Sequence, residues 1–488
     1  MAELAEALIH QAATAGSAVA MSDAECSLTR SQIVRLVAGA AEDLRRAPQT
    51  IGLYGSNSVD WAIGFLALSI SGKTIVPIPT FFSKEQHEHL IHDSGVEHIL
   101  VTDAKGPEAG LFPVPVHSLF RKEANSLRVQ GSGGGLIIYT SGSTGTPKGV
   151  RLASGQEEWV ARNLSKAIDA NREDKYLSVL PLPMLLELIC GIMVPIFVGG
   201  TVHYDNAVAQ SIGTGVPADV AEAFARAKPT ASVLVPQLLA LYCAQLAGSG
   251  TRPPETLRFV AVGGAAVPPA LSKTARQLGL PVFEGYGLSE CASVVAVNTP
   301  GESRDATVGK PLPGVHVTIE DGEIVVQGSS VMDGYLHGDT APRRWRTGDA
   351  GSLDADGFLT VYGRRDNLIV TPYGRNISPE WIETMLLGDS RIGGCIVHQL
   401  EGLEGLTALL IPSPFGEAWF KTASNDEILA LVSDACLPAP YYAQPKRAVA
   451  ISRKDALARK LFTPNGRVHR GQAQKYLKEQ AQTLKVEA

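Results

Sequence analysis

Short apolar segments alternate with longer amphipathic segments through the first part of the chain, and this alternation constrains the fold more than any other feature. Strands are predicted at 51–55, 74–79 and 98–102, and helices at 28–48, 58–71 and 84–94. Strands that alternate with helices form βαβ units, and the sheet they build is largely parallel. The sequence therefore predicts an α/β fold.

The alternation resumes after residue 150, and then the pattern changes. Helices are predicted at 156–168 and 216–227, and strands at 176–180, 231–235, 257–262 and 281–285. From residue 307 the segments are short and β-like, and a boundary follows near 363–367. We predict a large N-terminal domain, residues 1–364, of mixed, mostly parallel sheets with helices and a β-rich subdomain. A small α+β C-terminal domain, residues 365–488, completes the fold.

Composition narrows the class of protein. With 488 residues the chain exceeds one ordinary core, and 45% hydrophobic with 19% charged residues is typical of a globular enzyme. A net charge of −6 gives no overall bias toward nucleic acid. The six cysteines have no metal-ligand or disulfide spacing, and the N-terminus is acidic where a signal peptide needs cations. These features predict a cytoplasmic protein.

Residues 179–202 form the most apolar stretch of the chain, interrupted by Glu187. Three prolines and the pair Gly199–Gly200 break it, which is unfavourable for a membrane-spanning helix. We expect buried core here and no integral membrane segment. A membrane contact is the alternative.

The segment 139–150 combines three glycines, five hydroxyl residues, Pro147 and Lys148. Glycines let a backbone approach a polyphosphate, while amides, hydroxyls and a cation replace water around its oxygens. It is not a Walker loop, because Pro147 stands where that pattern has its second glycine. A flexible linker is the alternative, but the strand-like run before the segment favours a phosphate-binding loop.

Three further segments complete a pattern: Gly285-Tyr-Gly-Leu-Ser-Glu290, Thr347-Gly-Asp349 and Gly363-Arg364. In order and spacing, the four segments resemble the adenylate-forming superfamily of acyl-CoA synthetases, peptide adenylation domains and luciferases. The resemblance extends from about residue 30 to 475. It implies two half-reactions. A carboxylate first attacks the α-phosphorus of ATP, and a thiol then attacks the acyl-adenylate and expels AMP.

The resemblance also implies roles for individual residues. Catalytic roles fall to Lys148, Glu290, Arg467 and Thr144, with Glu290 as the Mg²⁺ ligand. Nucleotide-binding positions are Thr140, Ser141, Gly142, Ser143, Gly145, Gly263, Gly264, Ala265, Glu284, Gly285, Tyr286, Gly287, Leu288, Ser289, Asp349 and Arg364. Within this set Tyr286 matches the aromatic that stacks on adenine, and Asp349 matches the carboxylate that holds the ribose hydroxyls. Taken singly, each could instead be an ordinary core, turn or helix-start residue.

Segments near 180–187, 199–204 and 368–379 resemble the fatty-acyl branch of the superfamily. There, Gly374 would flank the CoA tunnel, and Met184 stands where a histidine is common. Methionine is apolar and adaptable, which suits a bulky acyl group. The C-terminal domain is expected to rotate about Asp366 or Asn367.

The main departure is Arg467, which replaces the lysine of the family's Pro-Asn-Gly-Lys motif. Arginine keeps the charge, but its planar fork is a poor substitute for a compact ammonium. The expected activity is an AMP-forming acyl-CoA synthetase for a hydrophobic acid, using ATP, Mg²⁺ and CoA. The alternatives are an adenylation-impaired relative that only forms thioesters, an acyl-carrier-protein ligase and a non-catalytic relative. Ten cations against one acid between Lys446 and Lys478 are either a solvated face or a surface for CoA or an acidic carrier protein.

Overall fold

The computed structural model describes residues 2–103, 106–107, 110–119, 121–124, 127, 134–140, 147–212, 218–341, 343–370, 376–463 and 467–486. Five of the predicted loop positions, Ser141, Gly142, Ser143, Thr144 and Gly145, lie outside these residues, and so does Gly374.

The strands fall into two large sheets and three small ones. In chain order they are β1 (Val19–Ser22), β2 (Ser27–Thr29), β3 (Thr50–Tyr54), β4 (Thr74–Ile78), β5 (His98–Val101), β6 (Val116–Ser118), β7 (Gly135–Thr140), β8 (Lys148–Ala153), β9 (Lys175–Ser178), β10 (Thr201–Tyr204), β11 (Ala231–Leu234), β12 (Phe259–Val262), β13 (Val282–Tyr286), β14 (Ala296–Val297), β15 (Lys310–Pro311), β16 (His316–Glu320), β17 (Glu323–Gln327), β18 (Gly334–Tyr335), β19 (Arg344–Leu353), β20 (Leu359–Arg364), β21 (Ile369–Val370), β22 (Asn376–Ile377), β23 (Ile392–His398), β24 (Leu406–Pro412) and β25 (Pro445–Ala450).

The helices cover the faces of these sheets. They are α1 (Ala2–Ala15), α2 (Arg30–Leu44), α3 (Val59–Ile70), α4 (Lys84–Ser94), α5 (Gln156–Ala167), α6 (Leu185–Leu188), α7 (Val194–Val198), α8 (Asn206–Ser211), α9 (Val220–Ala227), α10 (Pro236–Ser249), α11 (Pro269–Gln277), α12 (Pro379–Leu386), α13 (Glu417–Thr422), α14 (Asn425–Ala435), α15 (Arg453–Ala458) and α16 (Arg470–Val486).

Both large sheets are mostly parallel, which confirms the α/β prediction. The seven-stranded sheet has the order β18-β8-β7-β4-β3-β5-β6, and the nine-stranded sheet has the order β15-β14-β13-β12-β11-β9-β10-β1-β2. In the second, β9 to β13 and β1 form the parallel part, and β2, β14 and β15 run antiparallel at its edges. The carboxyl ends of β9, β11, β12 and β13 therefore meet at one edge, which is where open α/β sheets bind ligands.

The β-rich region predicted after residue 307 is a four-stranded antiparallel sheet in the order β16-β17-β19-β20. A 3₁₀ turn at Arg365–Asn367 follows it. The chain then forms a three-stranded sheet, β23-β24-β25, with its own buried clusters of apolar side chains between Ile377 and Leu477. The boundary between residues 364 and 365 remains a prediction, and these separate cores are consistent with it.

Helix ends follow local rules that are visible in the sequence. Thr29 and Gln32 form a capping box at the start of α2, and Ser83 and Gln86 do the same for α4. Gly95 ends α4 in the left-handed conformation that glycine adopts without a steric penalty. These caps fix the lengths of the connections, and hence which strand ends come together.

The apolar stretch 179–202 is built as core. It contains α6, a π-helical turn at Ile189–Met193, and α7, and most of its side chains are buried. Among the described residues, no helix is long and apolar enough to cross a membrane. The structure therefore confirms that this stretch packs inside the fold. The π-helical turn was not predicted, because no sequence signal marks it.

Candidate functional site

Two strands hold the base of the predicted phosphate loop. Thr140 at the end of β7 and Lys148 at the start of β8 are opposite one another in an antiparallel register. Lys148 is exposed, and its Nζ lies 5.7 Å from the centre of the Tyr335 ring. The cation is thus held near a fixed aromatic face at the mouth of the loop.

Glu290, the predicted metal ligand, lies on a 3₁₀ turn at Ser289–Cys291. The Tyr335 hydroxyl donates a 2.8 Å hydrogen bond to Glu290 Oε1, and Met332 N–H donates to the Glu290 carbonyl at 2.8 Å. Burial raises the pKa of Tyr335, so it remains a donor. Tyr335 therefore contacts both predicted catalytic groups, Glu290 and Lys148. Sequence reasoning missed it, because a two-residue strand carries no local signal.

Asp349 lies at the centre of a second cluster. The Tyr286 hydroxyl donates to Asp349 Oδ2 at 2.6 Å, and Arg364 Nη1 donates to Asp349 Oδ1 at 3.2 Å. The pairing of β19 with β20 places Asp349 directly opposite Arg364. Gly348, the residue before Asp349, has φ +74°, and a Cβ there would lie 2.9 Å from the Arg364 guanidinium. Glycine is thus required for the Asp349–Arg364 contact.

Burial raises the pKa of both Asp349 and Tyr286, while Arg364 opposes the shift at the carboxyl. The pair thus presents a buried carboxyl whose two oxygens already accept hydrogen bonds. Ribose hydroxyls are donors that such a carboxylate can accept. The structure brings these three predicted residues together. The stacking of Tyr286 on adenine remains a prediction.

One cavity adjoins both polar clusters, and the glycine-rich turns after β12 and β13 line it. Gly264 has φ +78°, and a Cβ at Gly287 would lie 1.4 Å from the Ser293 carbonyl oxygen. Both positions therefore exclude a side chain. Glu284 lines the same cavity, and its Oε1 accepts a 2.6 Å hydrogen bond from Ser272 on α11, while burial raises its pKa. The remaining predicted positions on these turns, Gly263, Ala265, Gly285, Leu288 and Ser289, line the cavity as well.

Met184 is half-buried and precedes α6. It lines the same cavity, together with the apolar side chains of Leu180, Pro183, Leu185 and Leu186. None of these five side chains carries a charge. The predicted acyl-binding position is thus on an apolar wall that adjoins the glycine-rich turns.

Arg467 reaches the site from the C-terminal part of the chain. Its guanidinium donates to the Gly264 carbonyl, and desolvation lowers its pKa from the usual arginine value. Nearby, Arg470 is paired with Glu383 and lies 3.4 Å from Glu380. Burial raises the pKa of Glu383 to about 7, and the neighbouring Arg470 opposes that shift. Of these contacts, the one from Arg467 reaches the turn after β12 of the nine-stranded sheet, while Arg470 ties its own segment to α12 within the C-terminal part of the chain.

The predicted hinge residues, Asp366 and Asn367, are both on the 3₁₀ turn. Asp366 is exposed, and Asn367 donates to Glu380 at the start of α12. The basic segment from Lys446 to Lys478 is partly engaged within the protein. Lys446 lies over the Tyr441 ring at 3.2 Å, and Arg459 is 3.6 Å from Glu479. The hinge motion and a partner for this segment remain predictions.

Within the described residues, the site offers a divalent cation few side-chain ligands, so substrate oxygens would complete its coordination. Among the described residues no cluster of three or more His, Cys, Asp or Glu side chains could ligate a metal. Glu290 offers one fixed carboxylate instead, close to Lys148 and the phosphate loop. Mg²⁺ commonly binds through one or two carboxylates plus substrate phosphates. These residues therefore fit Mg²⁺ bound together with a nucleotide.

Comparison with known proteins agrees with this geometry. The model of the family described as AMP-binding enzyme matches residues 8–336. A 2-succinylbenzoate–CoA ligase of Bacillus velezensis is 29% identical over 68% of this chain and 71% of its own length. The Bacillus subtilis ligase of the same name is 28% identical over 66% of this chain and 64% of its own length. A long-chain-fatty-acid–CoA ligase of Mycobacterium bovis is 25% identical over 91% of this chain and 87% of its own length.

Solved structures show the same fold. The anthranilate CoA ligase AuaEII in complex with anthranoyl-AMP superposes with a TM-score of 0.84 at 19% identity, over 98% of both chains. The o-succinylbenzoate CoA synthetase of Bacillus subtilis with its acyl-adenylate has a TM-score of 0.75 at 24% identity, over 91% of this chain and 94% of that one. The same enzyme has been solved with ATP and magnesium ion. The resemblance drawn from the sequence motifs is confirmed.

Proposed function

Because the chain belongs to the AMP-binding enzyme family, we propose that it is an AMP-forming acid–CoA ligase for an apolar monocarboxylic acid. The observation that carries the proposal is that two polar clusters, built from three different sheets, line one cavity. The Asp349–Tyr286–Arg364 cluster suits a ribose, and the Glu290–Tyr335–Lys148 cluster suits magnesium and phosphates. An apolar wall at Met184 adjoins them.

In the first step a carboxylate oxygen of the acid attacks the α-phosphorus of ATP. A P–O bond forms to the acyl oxygen, and the bond to pyrophosphate breaks. Negative charge builds on the phosphoryl oxygens, and fixed cations stabilise it. Lys148 and Arg467 are two cations that line the cavity, Lys148 at the base of the phosphate loop and Arg467 beside Gly264. Mg²⁺ bound at Glu290 would neutralise charge on the phosphates of the nucleotide.

In the second step the CoA thiol attacks the acyl carbon. A C–S bond forms, the C–O bond to AMP breaks, and the thiol proton leaves to solvent. The chain contributes position here rather than chemistry: the Asp349 cluster holds the AMP portion, and the Met184 wall holds the acyl group.

The apolar wall argues for a single carboxylate. Met184 and its four neighbours on this wall, Leu180, Pro183, Leu185 and Leu186, carry no charge. A second carboxylate buried there would lack a cation, and burying an unpaired charge is costly. The acid is thus hydrophobic and differs in charge from 2-succinylbenzoate, the substrate for which several relatives are named.

Two assays over a panel of acids test the proposal. One measures acid-dependent pyrophosphate release, and the other measures thioester formation from synthetic acyl-adenylate and CoA. We expect activity in both, with 2-succinylbenzoate a poor substrate. Thioester formation without pyrophosphate release would contradict the proposal and identify an adenylation-impaired enzyme. Silence in both would indicate a non-catalytic relative.

Arg467 separates the two half-reactions. Because its guanidinium enters the site next to Gly264, Arg467→Ala should lower pyrophosphate release about 100-fold, as expected when one charge-stabilising donor is removed. Thioester formation from supplied adenylate should change less than about threefold. Arg459→Ala, at an exposed ion pair, is the matched control. If Arg467→Lys raised pyrophosphate release well above wild type, the arginine would be a handicap rather than a working replacement.

A further inference from the structure

The cavity continues beyond Met184 as a lobe over one face of the nine-stranded sheet. The sheet contributes one side of this sheet-face lobe through Tyr176, Ala231, Val233, Phe259 and Ala261. Tyr176, Ala231 and Phe259 are directly paired across three neighbouring strands, so they point to the same face. Two of the five are alanines, and the small side chains leave room above the sheet.

Helical segments form the opposite side of the sheet-face lobe. Leu164 of α5, Ile168 just after it, Cys190 of the π-helical turn and Val194 of α7 all line it. Each is at most 8% exposed. The lobe is therefore an interior space between a sheet and its covering helices, with apolar walls.

The sheet-face lobe extends along the full length of strand β9. It runs from Leu180, past the carboxyl end of β9, to Asp174 before its amino end. Six residues of extended chain at ~3.3 Å each correspond to about 20 Å. At the far end Arg258 Nε donates to Asp174 Oδ1 at 2.8 Å, and Thr230 Oγ1 donates to the same oxygen at 2.7 Å. This ion pair closes the lobe.

Two hydroxyl groups of the sheet around the lobe already donate hydrogen bonds within the protein. The Tyr176 hydroxyl donates to Glu187 Oε2 at 3.0 Å, and the Ser232 hydroxyl donates to the Leu177 carbonyl at 2.7 Å. Desolvation raises the pKa of Glu187 to about 8, which favours the neutral form of this fully buried carboxyl. A polar substituent placed among the apolar walls would lose its hydrogen bonds to water without replacement from those walls. The lobe thus favours methylene groups over hydroxyl groups.

We propose that the sheet-face lobe binds the acyl chain of the substrate, and that the substrate is an elongated aliphatic monocarboxylic acid rather than a compact aromatic one. The inference rests on the ligase activity proposed above and names its substrate class. A single-ring acid would fill only the end near Met184. An extended chain buries its methylenes along the whole lobe, and each buried methylene strengthens binding.

The test compares acids of different length and shape in the thioester assay with ATP and CoA. We expect kcat/KM for tetradecanoic acid to exceed that for hexanoic acid and for benzoic acid by about 10-fold or more. A mid-chain hydroxylated tetradecanoic acid should be about 10-fold poorer than its parent. Equal or better use of benzoic or hexanoic acid would overturn the inference while leaving the ligase activity intact. If no acid formed a thioester, the proposed function itself would fail.

A variant that narrows the lobe sharpens this test. Val235 lines the cavity just after the carboxyl end of β11. Ala231→Leu adds bulk four residues earlier on the same strand, roughly 13 Å deeper in the lobe. It should lower kcat/KM for tetradecanoic acid about 10-fold and leave hexanoic acid within about threefold, so retained hexanoate activity reports an intact fold. Ala221→Leu, half-buried on α9 outside the lobe, is the matched control and should not alter chain-length preference. A loss that is equal for all acids would contradict the assignment of the lobe.

Discussion

The nucleotide side and the sheet-face lobe are two walls of one cavity, but they are built in opposite ways. On the nucleotide side a few polar atoms meet at short distances, such as Tyr286 with Asp349 at 2.6 Å and Tyr335 with Glu290 at 2.8 Å. In the lobe, many apolar side chains from separate elements enclose a space, and the Tyr176 hydroxyl is bonded to Glu187. One wall depends on specific atoms and the other on shape and volume. A single substitution should therefore cause a large loss of activity on the nucleotide side, and a loss that depends on side-chain size in the lobe.

The largest effect is expected at Asp349. Asp349→Ala removes the acceptor of both Tyr286 and Arg364 and leaves a buried hydroxyl without its partner. Two hydrogen bonds to a charged group are together worth roughly 3 kcal/mol, so kcat/KM for ATP should fall about 100-fold. Steady-state kinetics at varied ATP measure this.

Asp356→Ala, at an exposed ion pair with Arg304, is the control and should leave kcat/KM for ATP unchanged. A loss below about fivefold for Asp349→Ala would break the comparison, because the nucleotide side would then tolerate change as the lobe does.

A smaller effect is expected at Tyr335, which touches Glu290 but is not itself a predicted ligand. Tyr335→Phe keeps the ring near Lys148 and removes only the hydrogen bond to Glu290. One such bond is worth roughly 1.5 kcal/mol, or about 10-fold. We expect the Mg²⁺ concentration for half-maximal nucleotide binding to rise by about that factor in calorimetric titrations.

Tyr441→Phe, on an exposed surface, supplies the control. Unchanged Mg²⁺ dependence in Tyr335→Phe would show that Tyr335 supports packing rather than the orientation of Glu290.

The last effect is expected behind the lobe, at Glu187, and it concerns stability rather than activity. Its pKa of about 8 in the folded protein lies above the ordinary value of 4.5, so the folded state holds this proton more tightly. That contribution is complete below pH 4.5 and is lost as the pH rises toward 8. When the pH is raised from 5 to 8, the unfolding free energy of wild type should therefore fall by up to about 3 kcal/mol more than that of Glu187→Gln, which lacks the titrating carboxyl.

Urea unfolding at the two pH values measures this difference. Glu173→Gln, whose side chain is 81% exposed, should show no pH-dependent difference from wild type. A parallel pH dependence for Glu187→Gln and wild type would mean that Glu187 is ionised in the folded protein.

The alternation of strands and helices was sufficient to predict the α/β fold, since each element shows its own period and the connections are short. The β-rich region was also recognisable from alternating apolar residues. The π-helical turn at Ile189–Met193 was not, because it arises where the chain packs against Tyr176 and Tyr204 rather than from local preference. The fatty-acyl likeness has weaker support than the family itself, since one of the relatives above is a long-chain-fatty-acid ligase and two are 2-succinylbenzoate ligases.

By itself, the sequence determined the family and predicted the phosphate loop and the roles of Glu290, Asp349 and Arg364, because these residues stand in contiguous motifs at strand ends. Only the tertiary structure decided that Tyr335 joins Glu290 to Lys148, and that Tyr176, Ala231 and Phe259 line one interior space. The physical reason is the distance along the chain. Hydrogen bonds and enclosed volumes between remote segments depend on how sheets and helices pack, and no local pattern of residues encodes that packing.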